Sequence, residues 1–188
     1  MKTEIEARVL EIDVKDFIEK MKVNNAEFVG DWLQIRKCYD FTPAKPHSWI
    51  RLRTNGKETT LTIKEIEKTT IDGTQELEIV VSDFEKTDEI LNKLGYTARS
   101  VQENRRIRYI LDGVEVDIDF WPMIPAYVEF EAETEEQIKA IFEKLELDYE
   151  KKTTLDVASI YATYGIDINV LPDKVSLEEE RKLAKYDI

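Results

Sequence analysis

The sequence predicts an α+β protein built on a closed, mainly antiparallel eight-stranded β-barrel, a tunnel with helices packed outside. First, like-charged residues recur at positions i and i+2, which places both on one face of a strand. Second, about eight segments rich in β-branched and aromatic residues alternate with a few amphipathic helices. So many charged faces cannot be buried against an apolar core, whereas a barrel turns them toward a wet interior.

The like-charged pairs recur in six predicted strands. In residues 49–53, both arginines point one way, while Ile50 and Leu52 point the other way. The pairs are Glu4/Glu6, Arg51/Arg53, Glu76/Glu78, Arg106/Arg108, Asp117/Asp119 and Glu129/Glu131. In an ordinary half-exposed sheet the charged face would lie in solvent. That simpler interpretation fits any single strand, but it does not explain why like-charged pairs recur in six strands.

The first part of the chain is mostly strand. A strand over residues 2–10 precedes a helix over 13–24, whose apolar stripe is Val14, Phe17, Ile18 and Met21. Strands then follow over 27–41, 48–54, 58–66 and 70–81. Asn55-Gly56 and Asp72-Gly73 predict turns with positive φ between neighbouring antiparallel strands.

A second helix, over residues 83–94, ends at Gly95, which suits the first position after a helix. Strands resume over 98–111 and 114–120, joined by a turn at Asp112-Gly113. These two strands are therefore predicted to form a hairpin.

The last elements are one strand and three helices. The strand covers residues 126–132, and Thr134 with Gln137 predicts a capping box at the start of the helix that follows. A shorter helix is predicted over 155–164. A charged helix is predicted from Ser176, with a glutamate three residues later, as a mostly exposed, solvated tail. No linker-like stretch divides the chain, so we expect one domain, with residues 1–168 as the tunnel domain and 169–188 as its C-terminal helical tail.

Composition narrows the class of protein. The formal net charge of −13 argues against a nucleic-acid-binding surface, although cations lining a cavity can still bind a small polyanion. No apolar run approaches the roughly 20 residues of a membrane span, and the first residues lack a secretory pattern. One cysteine, Cys38, excludes an internal disulfide, and neither it nor the single histidine, His47, has the partners of a thiol or zinc site. We therefore expect a cytoplasmic protein without nucleic-acid or membrane partners.

Seven short motifs follow one another along the predicted strands. They are EIEAR at residues 4–8, IRLR at 50–53, LTIK at 61–64, QELEI at 75–79, RRIRY at 105–109, VDIDF at 116–120 and YVEFEAE at 127–133. In this order they resemble the CYTH superfamily of triphosphate tunnel metalloenzymes, which includes inorganic triphosphatases, thiamine triphosphatases and class IV adenylyl cyclases. The chain departs from the family pattern at Arg8, where lysine is usual, at Asn104, which is often basic, and in WPMIPAY at 121–127, which replaces a Gly-containing turn.

The resemblance implies roles for the charged residues. Glu4, Glu6 and Arg8 would be catalytic, although a guanidinium cannot serve as a base. The substrate-binding residues would be Arg51, Arg53, Lys64, Arg106 and Arg108. The metal ligands would be Glu4, Glu6, Glu78, Asp119, Glu129 and Glu131, while Asp117 and Glu76 could instead orient arginines. The eight candidate acids outnumber the six candidate cations by two, so we expect Mg²⁺ or Mn²⁺ to supply positive charge for a triphosphate.

The sequence thus predicts a divalent-metal-dependent hydrolase of inorganic triphosphate or of an organic triphosphate, because no adenine pocket is identifiable. One alternative is a class IV adenylyl cyclase making cyclic AMP and pyrophosphate from ATP, which the ten-residue separation of Asp119 from Glu129 supports. A second alternative is a non-catalytic polyphosphate- or nucleotide-binding module, for which Arg8 is the main motive. The partner would be a small-molecule triphosphate or nucleotide, and a homodimer is left open.

Overall fold

The computed structural model describes residues 1–168 and 174–188 and confirms the predicted α+β fold with a closed, antiparallel eight-stranded barrel. The strands are β1 Lys2–Val9, β2 Glu27–Asp40, β3 Ser48–Thr54, β4 Thr59–Ile66, β5 Thr74–Val81, β6 Ala98–Leu111, β7 Val114–Phe120, β8 Tyr127–Ala132 and the short β9 Lys174–Val175. The helices are α1 Val14–Val23, α2 Phe84–Lys93, α3 Glu135–Lys144, α4 Val157–Thr163 and α5 Glu179–Leu183, with a 3-10 turn at Tyr149–Lys151.

The barrel closes through its two longest strands. The neighbours run β2-β3-β4-β5-β1-β8-β7-β6, and β6 pairs back onto β2 along almost its whole length. β6 also carries β7 along residues 105–111 and the parallel β9 at Val101 and Gln102. All eight barrel contacts are antiparallel, so β9 is an addition to the barrel rather than a member of it.

Strand β1 is shared between two neighbours. Its first residues, 2–4, pair with β5, and residues 5–9 pair with β8. On the side that β5 leaves, the amide of Glu6 donates to the carbonyl of Ile71 at 3.0 Å and that of Arg8 to Thr153 at 2.8 Å. The strand therefore stays hydrogen-bonded on both edges while it crosses the barrel.

The apolar faces of the strands point outward, and helices cover much of them, although Leu77 and Ile79 on β5 stay exposed. Phe17 of α1 and Phe142 of α3 both pack against Phe130 of β8, with ring centroids 6.3 Å and 4.9 Å apart. Helix α2 buries Leu91 against the outer side of β2 and β3. Helix α4 buries Ile160 and Tyr161 near the Phe120 end of β7. This outer core leaves the inward strand faces for charged side chains.

Most local predictions are confirmed. Thr134 and Gln137 form the reciprocal capping box at the start of α3, and Gly95 follows α2 with φ +92°. Asp112 and Gly113 both have positive φ, at 50° and 82°, as a tight hairpin turn requires. Within the described residues, no helix is long and apolar enough to cross a membrane.

The turn predicted at Asp72-Gly73 is present, with the Gly73 amide donating to the Thr70 carbonyl at 2.9 Å, but the positive φ predicted for it is wrong. Gly73 does not have a positive φ, and β5 begins only at Thr74 rather than at residue 70. Glycine is needed here for space: a Cβ atom on Gly73 would lie 1.9 Å from the backbone carbonyl oxygen of Lys68. The residues before β5 fold back closely on themselves instead of extending the strand.

The prediction for the C-terminal residues is also wrong in part. Helix α5 begins at Glu179 and not at Ser176, and it has no side-chain cap. Leu177 is 2% exposed and belongs to the main apolar core. Arg105 on β6 donates to the carbonyls of Arg181 and Ala184, which holds the helix against the barrel. The tail is therefore anchored, although its charged face is exposed; the prediction for residues 169–173 lies outside the described residues.

Candidate active site

The barrel encloses a cavity of about 550 Å³ that is lined by inward residues of all eight strands. Eleven of the twelve candidate site residues line it, together with Glu76: Glu4, Glu6, Arg8, Arg51, Arg53, Lys64, Glu78, Arg106, Arg108, Glu129 and Glu131. The twelfth, Asp119, is fully buried behind Arg106. The alternation read from the sequence therefore brings these charges together from separate parts of the chain.

Arg8 is fixed between two carboxylates. Its Nη2 donates to Glu6 Oε2 at 2.6 Å, its Nε donates to Glu129 Oε2 at 2.7 Å, and its Nη1 donates to the Leu155 carbonyl at 3.0 Å. Burial opposes its charged form, but Glu129 and Glu6 raise the pKa of Arg8 above the usual value. Arg8 is thus a permanent cation that orients two acids and cannot accept a proton.

Arg106 is surrounded by acids. It makes a two-point contact with Asp119, at 2.8 and 2.5 Å, and ion pairs with Asp117 at 2.5 Å and Glu129 at 3.2 Å. Arg108 binds Asp117 in the same two-point manner, with both distances 2.7 Å. Both oxygens of Asp119 accept from Arg106, so the geometry fits an orienting role better than the predicted role as a metal ligand.

Lys64 joins Glu4 and Glu76 across the cavity. Its Nζ lies 2.7 Å from Glu4 Oε2 and 2.9 Å from Glu76 Oε2. Burial, with the neighbouring carboxylates Glu76 and Glu6, raises the pKa of Glu4 to about 8 despite Lys64. Burial and the like charges of its neighbours thus favour the protonated form of Glu4, while Lys64 favours the ionised form.

Arg51 and Arg53 share one carboxylate. The Nη2 atoms of Arg51 and Arg53 lie 3.3 and 3.7 Å from Glu78 Oε2, which also accepts from the Thr62 hydroxyl at 2.6 Å. The charge of Arg51, with burial, lowers the pKa of Arg53 to about 9. This part of the cavity holds more positive than negative charge.

The sequence analysis missed Arg36, which lines the same cavity beside Trp121. Its inward neighbours on β2 are Gln34 and Cys38, so it belongs to no like-charged pair. The only sequence signal for Arg36 was its position two residues after Gln34 on the same face of the strand. This signal is weak.

The acidic side of the cavity has the chemistry of a divalent-ion site. Among residues 1–168 and 174–188, no three acidic, histidine or cysteine side chains are gathered closely enough to hold an ion as they stand. Glu4, Glu6 and Glu76 nevertheless lie within electrostatic reach of one another, and their mutual repulsion contributes to the raised pKa of Glu4. Clustered carboxylate oxygens are the ligands that Mg²⁺ and Mn²⁺ prefer, and here Lys64 and Arg8 partly balance their charge. The metal-ligand assignments stay predictions.

The fold and the cavity define a class of protein: a β-barrel whose interior is an enclosed, charge-lined passage sized for a small polyanion. The sequence model of the CYTH domain matches residues 4–160. The chain belongs to the CYTH family, which confirms the resemblance read from the seven motifs.

Solved structures share the fold. A conserved hypothetical protein from Pyrococcus furiosus is 24% identical with a TM-score of 0.71, covering 82% of this chain and 98% of its own. A "putative adenylate cyclase" from Vibrio parahaemolyticus is 14% identical with a TM-score of 0.72, covering 86% and 98%. A "putative adenylyl cyclase" from Hippeastrum, described with a dominant triphosphatase activity, is 14% identical with a TM-score of 0.60, covering 92% and 100%. At these identities the likeness shows the fold alone, and no curated protein matches the sequence.

Proposed function

We propose that the protein is a divalent-metal-dependent hydrolase of inorganic triphosphate or of an organic triphosphate. The observation that carries the proposal is the division of one cavity into two regions. Arg51, Arg53 and Arg36 form a cation-rich region, while Glu4, Glu6 and Glu76 form an acid-rich region. A chain of phosphates would span both, with its oxygens on the arginines and its reacting phosphorus near the acids.

Phosphoryl transfer depends mainly on position and on stabilising charge, so this lining needs no covalent nucleophile. Arg51 and Arg53 would bind the phosphate oxygens, because guanidinium groups pair with them in two-point contacts. Lys64 would contribute a third charge once its carboxylate partners turn to a metal. Arg106 and Arg108 were predicted to bind the substrate directly, but Asp119 and Asp117 neutralise their charges. They would therefore act on substrate binding more through the shape of the site than through charge.

The acidic region would supply the reaction chemistry. A bound Mg²⁺ or Mn²⁺, held by carboxylates among Glu4, Glu6, Glu78, Glu129 and Glu131, would supply charge neutralisation and Lewis-acid activation of water and phosphate. Asp119 stays in this predicted set only if Arg106 releases it. Arg8 holds Glu6 and Glu129 in place. Glu4, whose pKa is about 8, would accept the proton of the attacking water only in its ionised form, which its contact with Lys64 favours.

A class IV adenylyl cyclase is the second candidate, and Trp49 favours it. Trp49 lines the cavity two residues before Arg51 on the same strand face, where its indole could stack on a base beyond the phosphates. The Vibrio and Hippeastrum neighbours carry cyclase names, and the Hippeastrum protein is also described with triphosphatase activity. The hydrolase is preferred because the charged lining needs no nucleotide base to explain it.

The test is a parallel assay of inorganic triphosphate, thiamine triphosphate and ATP, each with Mg²⁺ and with Mn²⁺, in which orthophosphate and cyclic AMP are both quantified. We expect metal-dependent orthophosphate release and no cyclic AMP. Glu6→Gln should abolish the release, whereas Glu136→Gln, on the exposed face of α3, should leave it unchanged. Cyclic AMP from ATP, with inorganic triphosphate untouched, would establish the cyclase instead. Tight binding without turnover under either metal would establish the non-catalytic module.

A further inference from the structure

Arg36 is a buried cation without an acidic partner. It is 7% exposed, and its Nη2 donates to the amide oxygen of Asn104 at 2.9 Å. Its Nε has no hydrogen-bond partner. No carboxylate in residues 1–168 or 174–188 forms an ion pair with it, although every other strand arginine lining the cavity has at least one. A buried charge is stable only when it is compensated, so this guanidinium lacks an anion.

Trp121 holds the guanidinium in place. The Arg36 Cζ atom lies 4.3 Å from the centroid of the Trp121 ring, which is a cation–π distance. Tyr161 meets the same indole edge-on at 6.2 Å, and Arg181 of α5 donates to the Trp121 carbonyl. With Arg36 on its face and Tyr161 on its edge, the indole orients a cation rather than offering a platform to a base.

Arg36 lies close to two other guanidinium groups, Arg51 and Arg53, and their mutual repulsion is unfavourable. Burial and the nearby Arg51 lower the pKa of Arg36 to about 10. The charge of Arg51 and burial also lower the pKa of Arg53, to about 9. Arg36 and Arg53 still carry their charge at neutral pH, and Glu78 is the acid that Arg51 and Arg53 share. An anion with several acceptor oxygens would relieve the repulsion among them.

The neighbouring strand explains why the cation comes from β2. The resemblance led us to expect a basic residue at position 104, on β6, but this chain has asparagine there. Asn104 pairs directly with Gln34 in the β2–β6 ladder, and Arg36 is the next inward residue of β2. The Arg36 side chain reaches diagonally to the Asn104 amide and so brings a positive charge close to where position 104 lacks one.

We propose that Arg36, oriented by Trp121, binds a phosphate group of the substrate together with Arg51 and Arg53, and that it takes the place of the cation missing at position 104. The identity of the anion as a polyphosphate rests on the proposed function.

The experiment measures binding without turnover. Calorimetry in EDTA would compare inorganic triphosphate, pyrophosphate and orthophosphate on the wild type and on Arg36→Gln, Arg36→Lys and Arg99→Gln. Loss of a charge-assisted contact predicts triphosphate affinity about tenfold to hundredfold weaker in Arg36→Gln, with Arg36→Lys between it and the wild type. Arg99→Gln is the matched control, because Arg99 also lines the cavity but is partly exposed and paired with Asp40; it should change affinity less than twofold.

Two further readouts separate binding from a structural role. Arg36→Gln should leave the melting temperature of the empty protein unchanged or raise it, because a repelled charge is removed, but it should reduce the rise that triphosphate causes. Adding Asn104→Lys to Arg36→Gln should restore the affinity for triphosphate. If the folded double variant still binds weakly, the idea that Arg36 replaces a cation at position 104 is overturned.

Triphosphate binding by Arg36→Gln equal to the wild type, or no binding by the wild type, would overturn the inference. Arg36-dependent binding with no turnover under any metal would contradict only the proposed hydrolase.

Discussion

The raised pKa of Glu4 predicts how stability should change with pH. The pKa of Glu4 is about 8 in the folded protein, against the ordinary value of 4.5 that the unfolded chain should have. The folded state therefore binds more protons than the unfolded state between these values, so stability should fall as pH rises through this window. Glu4→Gln cannot ionise and should escape this loss.

The expected size follows from the two pKa values. Between about pH 5.5 and about pH 8.5, the stability of Glu4→Gln relative to the wild type should rise by about 3 kcal/mol, since one pKa unit corresponds to about 1.4 kcal/mol. Urea unfolding in EDTA at both pH values measures the difference, and titrating groups that do not interact with Glu4 cancel between the two proteins. Glu136→Gln, on the exposed face of α3, should show the same small effect at both pH values. A Glu4→Gln difference that stays constant or shrinks with pH would refute the reasoning.

Three further substitutions test other parts of the structure. Glu129→Gln should destabilise the protein by about 3–5 kcal/mol in urea unfolding, because it leaves Arg8 and Arg106 incompletely paired in a buried place; an unchanged midpoint would contradict the buried network. Leu177→Ala should cost about 2–5 kcal/mol by the same measurement, and a loss below 1 kcal/mol would mean that the C-terminal segment is not anchored. Thr134→Ala should cost about 1 kcal/mol through the lost capping box, with Thr163→Ala as a comparison at a helix end that has no such cap.

The barrel was predictable because the charges obey the period of a strand. In the middle of β1, the charged Glu4, Glu6 and Arg8 alternate with apolar residues. In β3, Arg51 and Arg53 alternate with apolar residues in the same way, so one face had to find water and the other a core. When several strands have one charged and one apolar face, closing the sheet into a barrel gives every charged face a wet interior and every apolar face an outer core. The helices were predictable for an equally local reason, since the Thr134 capping box and Gly95 are encoded within a few neighbouring residues.

The features that the sequence did not predict depend on contacts between residues far apart in the chain. The sequence could not show that Arg106 contacts three carboxylates, whereas Arg36 forms an ion pair with none of the described ones. Strand register and tilt decide which side chains meet. The anchoring of α5 likewise depends on Arg105, whose donors reach the last carbonyls of a helix far along the chain. The hydroxyl of Ser176 suggested a cap, but Leu177 is drawn into the core and the helix starts after it.

The division of β1 between β5 and β8 has a consequence for the newly made polypeptide. The amino-terminal strand finds its second neighbour only in the last long strand of the barrel, so during synthesis one of its edges stays open. An open edge invites sheet-to-sheet association between copies, and alternating ionised side chains are a known deterrent. Glu4, Glu6 and Arg8 place such charges along this edge.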